Sequence, residues 1–243
     1  MRAHDRGYAT PAALVLSLGF AMIGAAMAAR GLHGLALARA ELERARLTAA
    51  LDGAQLLAAA TVVRSGAAGP FAWRFSSEDG WLRAEAEREA DKAGLAAAAG
   101  AADLMTALGV ADAAALQARL AQAASGPAPV DVAALDAAPL WRSCAASVVS
   151  AQGEAEAPAY ADHAAPTPAP ERPADWRIGE VWRIQVATPA GWRDERIVRF
   201  TGDARRPVAI VARRLSRARG DGAECEPVLK AALGGQAATT ATP

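Results

Sequence analysis

The sequence predicts an α+β protein: a long N-terminal helix, apolar in its first half, packed on a small antiparallel-sheet domain with a helical insertion. Three observations predict it. Residues 7–29 carry no formal charge, between Arg6 and Arg30. The stretch that follows, as far as Arg64, has no proline and consists mostly of strong helix formers. Farther on, alternating apolar and polar residues flank turn residues in two places, the pattern of β-hairpins.

The opening stretch fits three purposes. Residues 8–29 supply the roughly 20 apolar positions that a membrane-spanning helix needs. The basic start with Ala26-Met27-Ala28 also suits a type I signal peptide and its small-x-small cleavage site. In the third case, Arg6-Gly7 ends a short basic leader that prepilin peptidase removes, leaving the apolar helix on the protein. Continuity favours retention. From Leu47 onward, Leu47, Leu51, Ala54, Ala58 and Val62 share one helical face, the face of a helix docked on a globular domain. Gly31 and Gly34 are the weak points, each costing about 1 kcal/mol against alanine, so a kink is expected there.

Residues 65–150 hold a first hairpin and an alanine-rich helical insertion. The hairpin turns through Ser77-Glu78-Asp79-Gly80, and Leu82, Ala84 and Ala86 alternate with Arg83, Glu85 and Glu87. That alternation predicts one buried and one solvated face. Residues 96–124 read as helix, broken near Gly109-Val110, with Asp112 as an N-cap. Five prolines mark 151–175 as a linker or long loop. Residues 176–217 hold the closing antiparallel strands, the first pair turning through Thr188-Pro189-Ala190-Gly191. The tail, 218–243, reads as partly disordered.

Chemistry-bearing constellations are absent. His4, His33 and His163 are too scattered for a zinc site or a triad, and no nucleophile elbow or phosphate-binding loop occurs. No enzyme and no cofactor are expected. Glu85, Glu87 and Glu89 share a strand face, for which solvation is the plain expectation and calcium the alternative. With 26 basic and 26 acidic residues, net charge is zero, and no nucleic-acid partner is expected. Arg205, Arg206, Arg213, Arg214, Arg217 and Arg219 make the C-terminal part basic, as in an edge strand protected by charge; a phosphate contact is the alternative. "LMTALGVADAAALQARL" has the outline of a helix–hairpin–helix DNA element but lacks lysines for phosphate. Its leucines packing on their own domain is the plainer expectation.

Gly7-Tyr8 followed by a long apolar helix resembles the start of type IV pilins and type II secretion pseudopilins. Most members of that group carry a glutamate at the fifth position after the cleaved glycine, where this chain has Ala12. The K-type minor pseudopilin characteristically lacks that glutamate. "EREADKAGLAAAAGAADLMTALGVADAAALQARL" is similar to the K-type passage from strand to helix, with Lys92 and Leu95 matching but Gly94 and Ala96 where asparagine or aspartate is usual. "WRIGEVWRIQVATPAGWRDERIVRFTGDARRPVAIVARR" resembles its closing strands. The resemblance covers most of a chain that is short for the family.

The resemblance implies a pilin-like fold and a leader, 1–7, removed between Gly7 and Tyr8, with Tyr8 then N-methylated. Residues 8–64 become the transmembrane and docking helix of a single-pass inner-membrane protein with a periplasmic domain. The implied place is the tip of a type II secretion pseudopilus, in its assembly and in protein export. The implied partners are the I- and J-type minor pseudopilins, prepilin peptidase and the inner-membrane assembly platform. Better-known K-type proteins bind calcium through a loop with no evident counterpart here. The alternative expectation is a periplasmic or inner-membrane-anchored binding or accessory protein exported by a type I signal. In either case the exported chain meets an oxidising compartment. Cys144 and Cys225, the two cysteines, then predict a disulfide, with two inert thiols as the alternative.

Overall fold

The computed structural model describes residues 9–65, 69–77, 80–126, 130–163, 165–166, 177–203, 205–217 and 225–233, residues 9–12 by their backbone alone. The chain divides into two compact units, Met1–Ala50 and Leu51–Pro243. Helix α1, Ala9–Arg64, forms all the described structure of the first unit and continues into the second. Gly31 and Gly34 both lie within its unbroken helical run. A β-carbon at either position would meet nothing within 4 Å. Propagation through strong helix formers adds a bond per residue and carries the ladder across both.

The second unit is built on a five-stranded antiparallel sheet of order β1-β2-β3-β4-β5. Its strands are β1 (Phe71–Ser77), β2 (Gly80–Arg88), β3 (Val181–Ala187), β4 (Trp192–Asp203) and β5 (Arg206–Arg217). β1 and β2 pair from Ser77↔Gly80, as the turn residues predict. Between β3 and β4, Gly191 donates to Thr188 O at 3.0 Å and takes φ +81°, a conformation that favours glycine. One sheet face buries Leu82, Ala84, Ala86, Trp182, Ile184, Val186, Val198 and Phe200.

The C-terminal part of α1 docks on this face. Leu51, Ala54, Ala58, Ala59 and Val62 are buried, with Leu47 half-buried. Among them Gln55 Nε2 donates to Asp194 O at 2.8 Å and Ile184 O at 3.2 Å. Asp52 pairs with Arg196 of β4 and, at 3.3 Å, with Arg213 of β5. Buried Asp194 accepts from both of those arginines, so neither sign of charge is left alone under the helix. At the other end of the docked stretch, Arg177 Nε donates to Val62 O at 3.0 Å, satisfying a carbonyl of the last helical turn. Its guanidinium lies 4.7 Å from the ring centroid of Trp182.

The insertion between β2 and β3 has a core of its own. Helices α2 (Leu95–Ala99), α3 (Ala102–Ala107), α4 (Ala113–Ser125) and α5 (Pro139–Cys144) surround Leu104, Met105, Leu108, Leu116, Leu120 and Trp141. The helical run thus breaks at Gly100-Ala101 as well as at the expected Gly109, which takes φ +70°. Asp112 caps α4, accepting from Ala115 N at 2.9 Å. The leucines of the helix–hairpin–helix outline are core residues of this unit.

Two segments in the second half of the chain are held by partners distant in sequence. The tail contains helix α6, Cys225–Leu233, whose Leu229 and Leu233 join the core of the insertion. Nine residues do not hold a helix without such packing. The opening of the proline-rich stretch is also anchored. Ala155 N donates to Lys92 O at 3.1 Å, Gly94 N to Ala155 O at 3.3 Å, and Glu154 N to Ala90 O at 3.0 Å. At Gly153 the chains approach so closely that a β-carbon would lie 2.4 Å from Lys92 O. Residues 167–176 lie outside the described residues.

Candidate functional site

Two features of the chain have chemistry beyond folding. The first lies in the first unit. From residue 13 to 46, α1 is exposed at every position except Gly19, which is partly covered. Leu14, Val15, Leu16, Phe20, Met22, Ile23 and Met27 are all more than half exposed. An 18-residue window here has mean hydropathy 1.7 with none of it buried, so the helix is long and apolar enough to cross a membrane. Leaving so many large apolar side chains in water costs about 1.5–3 kcal/mol each relative to burial. Gly7 and Tyr8, the expected processing site, lie outside the described residues.

The second feature is a charged groove of about 890 Å³ between the other sheet face and the insertion. Local sequence makes this face polar, because Arg83, Glu85 and Glu87 of β2 and Arg183 and Gln185 of β3 alternate with the residues buried under α1. The insertion covers part of the groove. Glu89 is wholly buried just beyond β2, where Lys92 Nζ approaches it to 2.7 Å and Arg183 Nε to 3.0 Å, and Ser150 Oγ donates to it as well. Glu87 lies 2.6 Å from the same Lys92 Nζ and 2.9 Å from His163 Nε2. Lys92 also donates to Ala146 O at 2.9 Å.

Burial alone would raise the pKa of Glu87, but Lys92 and His163 outweigh it and hold the carboxyl down to about 2. Glu89 is likewise depressed, burial being outweighed by Lys92 and Arg183. His163 is raised, because Glu87 outweighs its partial burial.

The face expected to be solvated is therefore only partly so, and neither Glu87 nor Glu89 is free for calcium. Both carboxylates are neutralised by cations. Among the described residues, no group of three or more His, Cys, Asp or Glu is placed to hold a metal ion. Ser150 donates to Glu89, whose carboxylate is paired with two cations and has its pKa held down to about 2, which makes it a weak base for activating a hydroxyl. The groove's arrangement can join two layers by charge and can bind charged groups at its mouth, where Lys230 lies 2.7 Å from Asp162.

Lys92 was legible in sequence only as a match to a pattern. The available clue to its role was the Glu89–Lys92 spacing, three residues apart, in a chain with two lysines. His163 and Ser150 carried no signal, because their partners lie far away in sequence. His33 is exposed on α1, and His4 lies outside the described residues. Cys144 and Cys225 are bonded, with Cα atoms 5.3 Å apart, which fastens α6 to α5.

No family model matches this chain, and no curated protein or solved structure matches it either.

The histidine yields a pH prediction. A group whose pKa is raised by folding stabilises fully below its unfolded value, near 6.5, and loses that contribution as pH rises through the folded value. His163→Gln should therefore cost on the order of 1 kcal/mol at pH 6. By pH 9 the variant and wild type should converge. Denaturant midpoints at the two pH values measure the difference; an equal loss at both would mean that His163 acts by packing.

Proposed function

We propose that this chain is a K-type minor pseudopilin, held in the inner membrane by the apolar half of α1 with its sheet domain in the periplasm, at the tip of a type II secretion pseudopilus. Its work there is assembly of the pseudopilus and protein export, alongside I- and J-type minor pseudopilins. The observation that supports this most is the continuity of α1. A single uninterrupted helix is bare and apolar in one half and docked on an antiparallel sheet in the other. A type I signal cut after Ala28 would divide that helix in its exposed part and has no use for the continuity.

Ala12 makes physical sense at a tip. In pilins the glutamate at this place is thought to neutralise the terminal ammonium of an adjoining subunit inside an apolar bundle, where an unpaired charge costs several kcal/mol. A subunit with none above it has no such amine to meet.

The test is the mature N-terminus, read by mass spectrometry of protein from cells that contain prepilin peptidase. A chain beginning at N-methylated Tyr8 is expected, and Gly7→Leu should leave the leader in place. A chain beginning at Ala29 would overturn the proposal in favour of a periplasmic accessory protein.

A further inference from the structure

The strand β5 ends the sheet, and its outer edge has no neighbouring strand among the described residues. It is twelve residues long and almost wholly exposed. Ile210 is 53% exposed, Val211 42% and Leu215 47%, so its apolar side chains are left in water beside a row of backbone groups available for pairing. The opposite edge, β1, has seven residues, and its Phe71, Trp73 and Phe75 are buried or half-buried. The two edges are therefore not equivalent.

Charge distinguishes β5 further. It carries Arg206, Arg213, Arg214 and Arg217 and no acidic residue. Arg213 is taken up by Asp52 and Asp194, and Arg214 has only Asp131 at 3.7 Å. Arg206 has no carboxylate partner among the described residues, and Arg217 is held only over the Trp192 ring at 5.8 Å. The pairing with β4 shifts register between Ile197 and Val198, leaving Val211 as an extra residue on β5. Pro207 stands near the strand's start.

Arginines, a bulge and a proline are the devices by which an edge avoids pairing with its own kind. In an antiparallel β5–β5 pair centred near Ala212, Arg206 would come close to Arg217 of the other copy, and such like-charge pairs are unfavourable. The same cations attract carboxylates. We propose that β5 is a docking edge for an extended strand of a different protein, one that carries both apolar residues and aspartate or glutamate on each of its faces. Its backbone would extend the sheet; on the face that Ile210 and Leu215 share with Arg206 and Arg217 it would present both apolar residues and carboxylates, and on the other face a carboxylate to Arg214. This inference does not depend on the membrane assignment.

The test uses the full chain in detergent and two fluorescent nonapeptides, one built of alternating valine and glutamate pairs (VVEEVVEEV) and the other with lysine in place of glutamate, so that each face carries both residue types. Anisotropy should show saturable binding of the glutamate peptide, weakening as salt rises. Amide exchange should slow across 206–217 when that peptide is present. Replacing Arg206, Arg214 and Arg217 together by glutamate should lower its affinity about tenfold or more and transfer preference to the lysine peptide. Native-like exchange in β4 of this variant would establish that the sheet is intact. Three outcomes would overturn the proposal: no binding of the glutamate peptide, equal binding of both peptides, or protection of β5 that grows with protein concentration in the absence of peptide. The last would assign the edge to a second copy of the chain.

Discussion

Removing the disulfide, as Cys144→Ala with Cys225→Ser, should lower the stability of the second unit by about 4 kcal/mol. The two cysteines are 81 residues apart in sequence. Releasing a loop of that size restores conformational freedom to the unfolded chain worth about 4–5 kcal/mol in the chain-entropy account. The effect should be concentrated in α6. That helix depends on Leu229 and Leu233 entering the core of the insertion, and the Cys225 bond holds its first residue against the end of α5. Denaturant unfolding of the full chain in detergent would give the magnitude, and hydrogen exchange the location. Exchange should rise first across 225–233, while the exposed half of α1 is unchanged. A loss below 1 kcal/mol would mean that packing alone seats α6, and reduction of wild type should then be equally harmless.

Lys92→Met should be comparably damaging, by about 3–5 kcal/mol at pH 7, because it leaves two buried carboxylates short of a cation they share. Methionine keeps most of the lysine stem, so the charge is what is tested. The pH dependence gives the variant its signature. In wild type, carboxyls with lowered pKa values contribute fully above the ordinary value of 4.5 and lose that contribution as pH falls toward about 2. Without Lys92 both groups titrate higher and accept protons at milder acidity. The gap between variant and wild type should therefore narrow below about pH 4. Adding Glu87→Gln should recover part of the loss at neutral pH. A deficit constant from pH 3 to 7 would instead assign the lysine a packing role.

Much of the α+β architecture is legible in sequence wherever the decisive contacts are local. The docked face of α1 follows from 3.6-residue periodicity, and Leu51, Ala54, Ala58 and Val62 are the residues that become buried. The hairpins follow from turn residues a few positions apart, as at Ser77–Gly80 and Thr188–Gly191, and the α4 cap from Asp112. The apolar, uncharged character of residues 7–29 is equally a property of the chain itself.

The groove was not legible in the same way. Period-two alternation separates the two faces of β2, but it does not state what covers each of them. Glu87 and Glu89 are buried or nearly so because Ala146, Ser150 and His163, more than fifty residues away, come to lie against that face. Helix α6 exists for a similar reason, since nine residues gain too few backbone bonds to stay helical until Leu229 and Leu233 find a core. The sequence by itself determined the elements whose stabilising contacts lie within a few turns or a hairpin. Only the tertiary structure decided which polar side chains leave water, because the cost of burying a charge is set by partners that the fold, not the local chain, brings within 3 Å.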